Sequence, residues 1–185
     1  MSYVVNWFWS GFSDVRSGIA QLIGLVPLVL SFFVFRQGDR KNIIYLKTCS
    51  DFLWAIHFFV LGELSGGMVN LVNTVRNVIF ARRSKGMADR KYIPVLFCAF
   101  TMVCALPGLK GVYGLFAMVG SCFAIFGFWQ TSVKKLRVCN LIGVTLWLVY
   151  GVWTVSVPTI ISNVLSIVSI GSVLVGERKE GEVNC

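Results

Sequence analysis

Apolar residues fill this chain in long blocks, separated by short basic segments or by glycine- and proline-bearing turns. An α-helix rises 1.5 Å per residue, so about 20 mostly apolar residues cross the hydrocarbon core of a bilayer. Seven blocks come within a few residues of that length: 18–36, 43–62, 66–83, 92–108, 112–129, 137–154 and 158–176. The pattern predicts an all-α integral membrane protein with seven transmembrane helices. The third block, GGMVNLVNTVRNVIFARR, is the most polar, with Asn70, Asn73, Arg76 and Asn77 inside it. In a bilayer it must turn that polar face toward other helices.

Composition sharpens the class. Hydrophobic residues make up 56% of the 185 and charged residues 14%, against about 25% charged in soluble domains. The mean hydropathy is +0.76. Seven helices of about 20 residues leave no room for a soluble domain. The net charge of +9 is read by which loops carry it, because Lys and Arg collect on the cytoplasmic side. With seven spans, Arg36, Arg40, Lys41, Arg82, Arg83, Lys85, Arg90, Lys91, Lys134, Lys135, Arg137, Arg178 and Lys179 share one side. Only Arg16 and Lys110 lie on the other. The expected topology is multi-pass, with the N-terminus outside and the C-terminus cytoplasmic. If 66–83 did not insert, the basic cluster from Arg82 to Lys91 would move outside, so the charges argue that this polar segment spans.

The N-terminal segment 1–17 lacks the basic start of a cleavable signal and carries Trp7, Phe8, Trp9 and Phe12. It reads either as an aromatic stretch lying at the interface or as a short tail. The six cysteines form no CxxC or Cys/His ligand spacing, so neither a disulfide framework nor a metal site is expected. There is no Walker loop, nucleophile elbow or HExxH, and one histidine in all. Enzyme activity, a cofactor and nucleic-acid binding are not expected.

Sliding the chain by 93 residues, without gaps, sets 18–80 against 111–173 and gives eleven identities in 63 positions. They are Gly18/Gly111, Leu22/Leu115, Val26/Val119, Phe33/Phe126, Phe35/Phe128, Gln37/Gln130, Lys41/Lys134, Leu53/Leu146, Trp54/Trp147, Asn70/Asn163 and Val75/Val168. About four or five are expected by chance for this composition, and three spans fall in register. Three spans per copy invert a directly fused second copy, and the fourth span restores its direction. The expected organisation is a triple-helix repeat over 18–83, a basic loop and linker helix over 84–110, a second triple-helix repeat over 111–176 and a cytoplasmic tail over 177–185.

Polar side chains cluster on two spans. Lys47, Ser50, Asp51, Trp54 and His57 recur at spacings of three and four, on one face of the second helix, and Asn70, Asn73, Thr74 and Asn77 form a stripe on the third. Counted from the helix ends, Asp51 and Arg76 lie level, Trp54 and Asn73 sit beyond them, and His57 and Asn70 lie level nearer the outside. The wall reads as a polar pocket or as a structural network. Trp with Asn suits a neutral polar ligand, the ring stacking on its apolar face and the amide donating and accepting. In the second copy Lys47, Asp51, His57 and Arg76 become Asn140, Val144, Tyr150 and Ser169. The charged half reads either as proton coupling through Asp51 or His57, or as one buried ion pair, Asp51 with Arg76, fastening the first repeat.

The 3+1+3 plan resembles the SWEET/PQ-loop superfamily, and within it the chain is similar to the YgjV-type bacterial inner-membrane proteins. The likeness is carried by Gln21-Leu-Ile-Gly24, by Trp54 to Gly62 and by Asn70 to Asn77. It implies two parallel repeats joined by a linker helix. It also implies a sugar-type pocket lined by Trp54, Asn70 or Asn73, Trp147 and Asn163, to which layer and register add His57 and Tyr150. The chain departs from the PQ-loop pattern at Gln37 and Gln130, which follow Arg36 and Trp129 rather than Pro. The expected role is a SWEET-like transporter or facilitator of a small polar solute. The alternative is a non-transporting membrane protein of the same fold: a sorting receptor, complex subunit or scaffold. The lipid bilayer is the expected partner, and a homo-oligomer is left open.

Overall fold

The structure is a computed structural model that describes residue 6 and residues 10–82, 90–109 and 111–183, with the backbone alone over 177–183. Trp7, Phe8, Trp9, Arg83, Lys85 and Lys110, and the side chains of Arg178 and Lys179, lie outside the described residues. Among those described there are seven α-helices and no strand. They are α1 Val15–Val34, α2 Arg40–Leu61, α3 Leu64–Ala81, α4 Ile93–Ala105, α5 Tyr113–Trp129, α6 Val133–Trp153 and α7 Val157–Val183. A 3-10 turn, Leu106–Gly108, prolongs α4.

Each helix matches one expected block, but α2 and α6 begin three or four residues earlier and α7 runs on to Val183. Hydropathy marks where hydrocarbon ends, whereas a helix continues through basic residues such as Arg40, Lys41, Lys134 and Lys135 as long as its backbone bonds are met. Val15–Val34, Arg40–Leu61, Val133–Trp153 and Val157–Gly176 are long and apolar enough to cross a membrane; Ile93–Gly108 and Tyr113–Trp129 are apolar but shorter.

Local sequence sets the ends. Asp14 accepts from the Ser17 amide at 2.6 Å and caps α1. Asp39 does the same for α2 from the Asn42 amide at 3.4 Å. Helix α2 ends at Gly62 with φ +86°, the left-handed conformation that glycine adopts without a Cβ clash. There the Glu63 amide donates to the Phe58 carbonyl and the Gly62 amide to that of Phe59. The α6–α7 turn repeats this 93 residues on. The Ser156 amide donates to Gly151, the Val155 amide to Val152, and Val155 takes φ +50°. A β-branched residue is strained there.

Helix α1 packs on α2 and α7, α3 on α2, α4 and α5, and α6 on α5 and α7. These contacts run α1, α2, α3, α5, α6, α7 and back to α1, with α4 held against α3 and α5. The two contacts that close the circuit, α1 on α7 and α5 on α3, exchange under the 93-residue shift.

Polarity is inverted relative to a water-soluble bundle. On α1, Ile19, Leu22, Val26, Val29 and Phe33 face outward, while Gln21, Gly24, Pro27 and Ser31 are buried. Asp51, His57, Asn70, Asn73, Arg76, Asn77, Asn140, Ser162 and Ser166 are all buried too. An apolar surface around a polar interior is what lipid selects, since hydrocarbon tolerates Leu and Val but leaves no partner for an amide or a charge.

Candidate functional site

The buried polar groups surround a cavity between the two halves of the circuit, with about 50 Å³ open to the centres of water molecules. Roughly 10–15 Å³ by that measure holds one water, so the space takes a few waters or a few heavy atoms of a solute. It is lined by Ser31, Val34 and Phe35 of α1; Lys47, Asp51, Trp54 and Phe58 of α2; Asn70, Asn73 and Arg76 of α3; and Ala124 of α5. Asn140, Gly143, Val144 and Trp147 of α6 and Thr159, Ser162, Asn163 and Ser166 of α7 complete it.

Of the residues singled out in the sequence, Trp54, Asn70, Asn73, Trp147 and Asn163 come together here, with Asp51 and Arg76. The two tryptophans are held alike. Trp54 Nε1 donates to Ser31 Oγ at 3.4 Å and Trp147 Nε1 to Ser121 Oγ at 3.2 Å, each on the first helix of its own half. Phe58 lies between them, its ring centroid 6.0 Å from Trp54 and 5.8 Å from Trp147. Asn70 Nδ2 donates to the Gly66 carbonyl at 2.9 Å and Asn163 Nδ2 to that of Thr159 at 2.8 Å, again a pair 93 residues apart. Asn73 Nδ2 donates to Ser121 Oγ at 3.1 Å, tying α3 to α5. Its Oδ1 is buried with no partner among the described residues.

His57 and Tyr150 do not line the cavity. Both are fully buried and pack against lining rings, His57 on Trp54 and Phe58, Tyr150 on Phe58 and Trp147. His57 Nδ1 donates to the Ala20 carbonyl at 2.7 Å, since a carbonyl can only accept, and Nε2 lies 2.7 Å from Ser156 Oγ, which donates to Thr159 Oγ1 at 2.6 Å. Tyr150 OH lies 3.5 Å from Ser65 Oγ. His57 thus reaches from the first half to the second and Tyr150 from the second to the first. Two arginines do the same. Arg40 Nε donates to the Gln130 carbonyl at 2.8 Å and Nη2 to that of Phe128 at 2.6 Å, capping α5. Arg137 Nη2 reaches the carbonyls of Phe35 and Gln37 at 3.4 and 3.3 Å, at the end of α1. Guanidinium groups suit helix C-termini, where carbonyls lack partners and the dipole is negative. Sequence reading used these arginines only for topology, because nothing in the spacing tells which helix end a basic residue will cap.

The charged groups sit on the α2–α3 side. Asp51 Oδ1 takes Lys47 Nζ at 2.5 Å, one turn away on the same helix, and Oδ2 accepts from Asn77 Nδ2 at 2.8 Å. Arg76 stands 3.9 Å from Asp51 Oδ2. Its Nε and Nη2 donate instead to Asn77 Oδ1 at 3.1 and 2.6 Å. Asn77 therefore bridges the two ions, and Lys47 is the direct partner of the carboxylate. The i,i+4 spacing of Lys47 and Asp51 was the available signal; depth had matched Asp51 to Arg76. The Arg76 Cζ also lies 5.0 Å from the Phe128 ring centroid. A guanidinium inside a membrane bundle costs about 2.5–3.5 kcal/mol on insertion scales, so each of these contacts offsets a real penalty.

Among the described residues no group of three or more His, Cys, Asp or Glu side chains comes together to hold a metal ion. The site is suited to holding a small polar molecule between aromatic rings, amides and a guanidinium.

No curated protein and no solved structure matches the chain. A family model described as a bacterial inner membrane protein, Imp-YgjV, matches residues 18–180, which include every residue that lines the cavity. The apolar exterior agrees with a membrane setting, and the chain belongs to the Imp-YgjV family of bacterial inner membrane proteins.

Proposed function

We propose that this protein is a SWEET-like carrier that passes a small polar solute through the central cavity, rather than an enzyme. The observation that carries the proposal is the cavity itself. It lies between two three-helix units, and Trp and Asn residues from both line it. A scaffold or sorting receptor has no use for a polar void inside its bundle; it would fill that space with Phe and Leu.

The proposal includes two parallel repeats, α1–α3 and α5–α7, joined by α4, with all seven helices spanning and the N-terminus outside. Its support is the shared geometry at a 93-residue offset: the paired turns at Gly62 and Val155, the paired Asn bonds, and clamps that cross between halves in both directions. In a cysteine-free background, Lys110→Cys should label from outside the cell and Lys85→Cys should not. Labelling of both from one side removes the seven-span topology.

Transport is tested in proteoliposomes made with the full chain, by uptake of a panel of radiolabelled small polar solutes of each charge. Uptake should fall about tenfold for Trp54→Ala and for Trp147→Ala, a loss of about 1.4 kcal/mol in each case. Absence of uptake for every solute in the panel overturns the carrier reading.

A further inference from the structure

We propose that the solute bound in the cavity is a small organic acid anion, held by Arg76; this rests on the carrier reading above and narrows it. Two cations and one carboxylate line the space: Lys47, Arg76 and Asp51. The other lining side chains, from α1, α5, α6 and α7, are uncharged. Asp51 is occupied. Lys47 takes one oxygen at 2.5 Å and Asn77 the other at 2.8 Å, while Arg76 stays at 3.9 Å and makes no hydrogen bond to it. The guanidinium bonds only a neutral acceptor, Asn77 Oδ1. Its Nη1 has no partner among the described residues, although Arg76 is 0% exposed. A buried guanidinium whose nearest carboxylate is committed elsewhere calls for an anion, and its planar fork matches the two oxygens of a carboxylate.

One turn away on the same face of α3, Asn73 Oδ1 is a buried acceptor, also without a partner among the described residues. A donor and an acceptor three residues apart on one helix face the same space. They fit a carboxylate that carries a hydroxyl close by, so a short hydroxy acid should outrank the plain acid. The Trp54 and Trp147 rings would cover its carbon atoms. About 50 Å³ admits only a short molecule. Neutral polar solutes, which the tryptophan and asparagine content alone suggests, leave unanswered the surplus positive charge of Lys47 and Arg76 over Asp51.

The test is calorimetric titration of the purified full chain with sodium glycolate, acetate and nitrate and with glycerol, at constant ionic strength held by gluconate, which is too large for the cavity. Glycolate and acetate should bind, glycolate several-fold tighter, with nitrate weaker and glycerol weakest. Nitrate binding as tightly as the acids would make the site one for inorganic oxyanions and overturn the organic acid assignment. Arg76→Gln should lose at least tenfold in glycolate affinity, and Arg76→Lys should recover part of it. Asp51→Asn should tighten glycolate several-fold, since the competing carboxylate at 3.9 Å is gone. Uptake needs no variant: an inside-positive potential should speed glycolate entry into proteoliposomes. If glycerol binds and enters while glycolate does neither, the anion assignment is overturned and the carrier reading stands. If nothing binds or enters, both fall. Wild-type glycolate affinity in folded Arg76→Gln overturns the role of Arg76.

Discussion

Helices α1–α3 and α5–α7 carry matching turns at Gly62 and Val155 and differ in how they hold their middle. In the first half, Lys47, Asp51, Asn77 and Arg76 form a chain of charge and amide across α2 and α3. The positions 93 residues on are Asn140, Val144, Ile170 and Ser169, none of them charged. Between the first two helices of each half the contrast takes another form. Ser31 and Ser50 hydrogen-bond at 2.9 Å between α1 and α2. Between α5 and α6, Gly120 and Gly143 let the backbones approach so closely that a Cβ on Gly143 would lie 2.8 Å from the Gly120 carbonyl. One fold is thus stabilised by electrostatics on one side and by close packing on the other. The cavity inherits its charge from the first half alone.

The largest expected effect is at the ionic centre. Asp51→Ala leaves Lys47 and Asn77 without their acceptor and Arg76 without its counter-charge at 3.9 Å, and removing one partner from a buried pair costs roughly 3–5 kcal/mol. Val144→Ala, the same position in the second half, should cost far less, since only methyl groups are lost. Unfolding in mixed detergent micelles compares the two, and a double-mutant cycle resolves the contacts. Asp51 should couple more strongly to Asn77 than to Arg76, because Asn77 makes the bonds. Additive losses for Asp51→Asn and Asn77→Ala would break the bridge.

The clamps come next. Hydrogen bonds from a charged group are worth about 1.5–3 kcal/mol. Arg40→Gln should destabilise more than Arg137→Gln, since its two bonds to the end of α5 are 2.6 and 2.8 Å against 3.3 and 3.4 Å. Equal losses in thermal unfolding would show that the two ends are held with the same strength. Packing gives a third contrast. Gly143→Ser overpacks the α5–α6 contact and should cost about 1–3 kcal/mol, whereas Ser50→Gly in the first half loses one hydrogen bond, about 1 kcal/mol. The reverse order in detergent unfolding would sink the contrast. The smallest effect lies in the turns. Gly62→Val puts a branched side chain at φ +86° and should cost about 1–3 kcal/mol, while Val155→Gly should gain up to about 1 kcal/mol by relieving the same strain. A loss for both substitutions would mean that the Val155 side chain contributes more by packing than its backbone gives up.

The sequence by itself determined the seven helices and the class of environment, because a helix in lipid must satisfy its own backbone and wear apolar side chains outside. It also pointed Trp54, Asn70 and Asn73, with Trp147 and Asn163 at the 93-residue offset, toward one polar wall, since residues at spacings of three and four occupy one face. Tertiary structure decided the pairings. Counting residues fixes height along a helix axis but not rotation about it. Asp51 and Arg76 therefore stand as a buried ion pair at 3.9 Å, while the hydrogen bonds to the carboxylate come from Lys47 and Asn77. Rotation also sent His57 and Tyr150 away from the cavity, toward Ser156 and Ser65 across the interface between halves. And only the packed ends of α1 and α5 gave Arg40 and Arg137 something to hold, because a helix's unpaired carbonyls become a partner for a distant arginine once another helix brings it there.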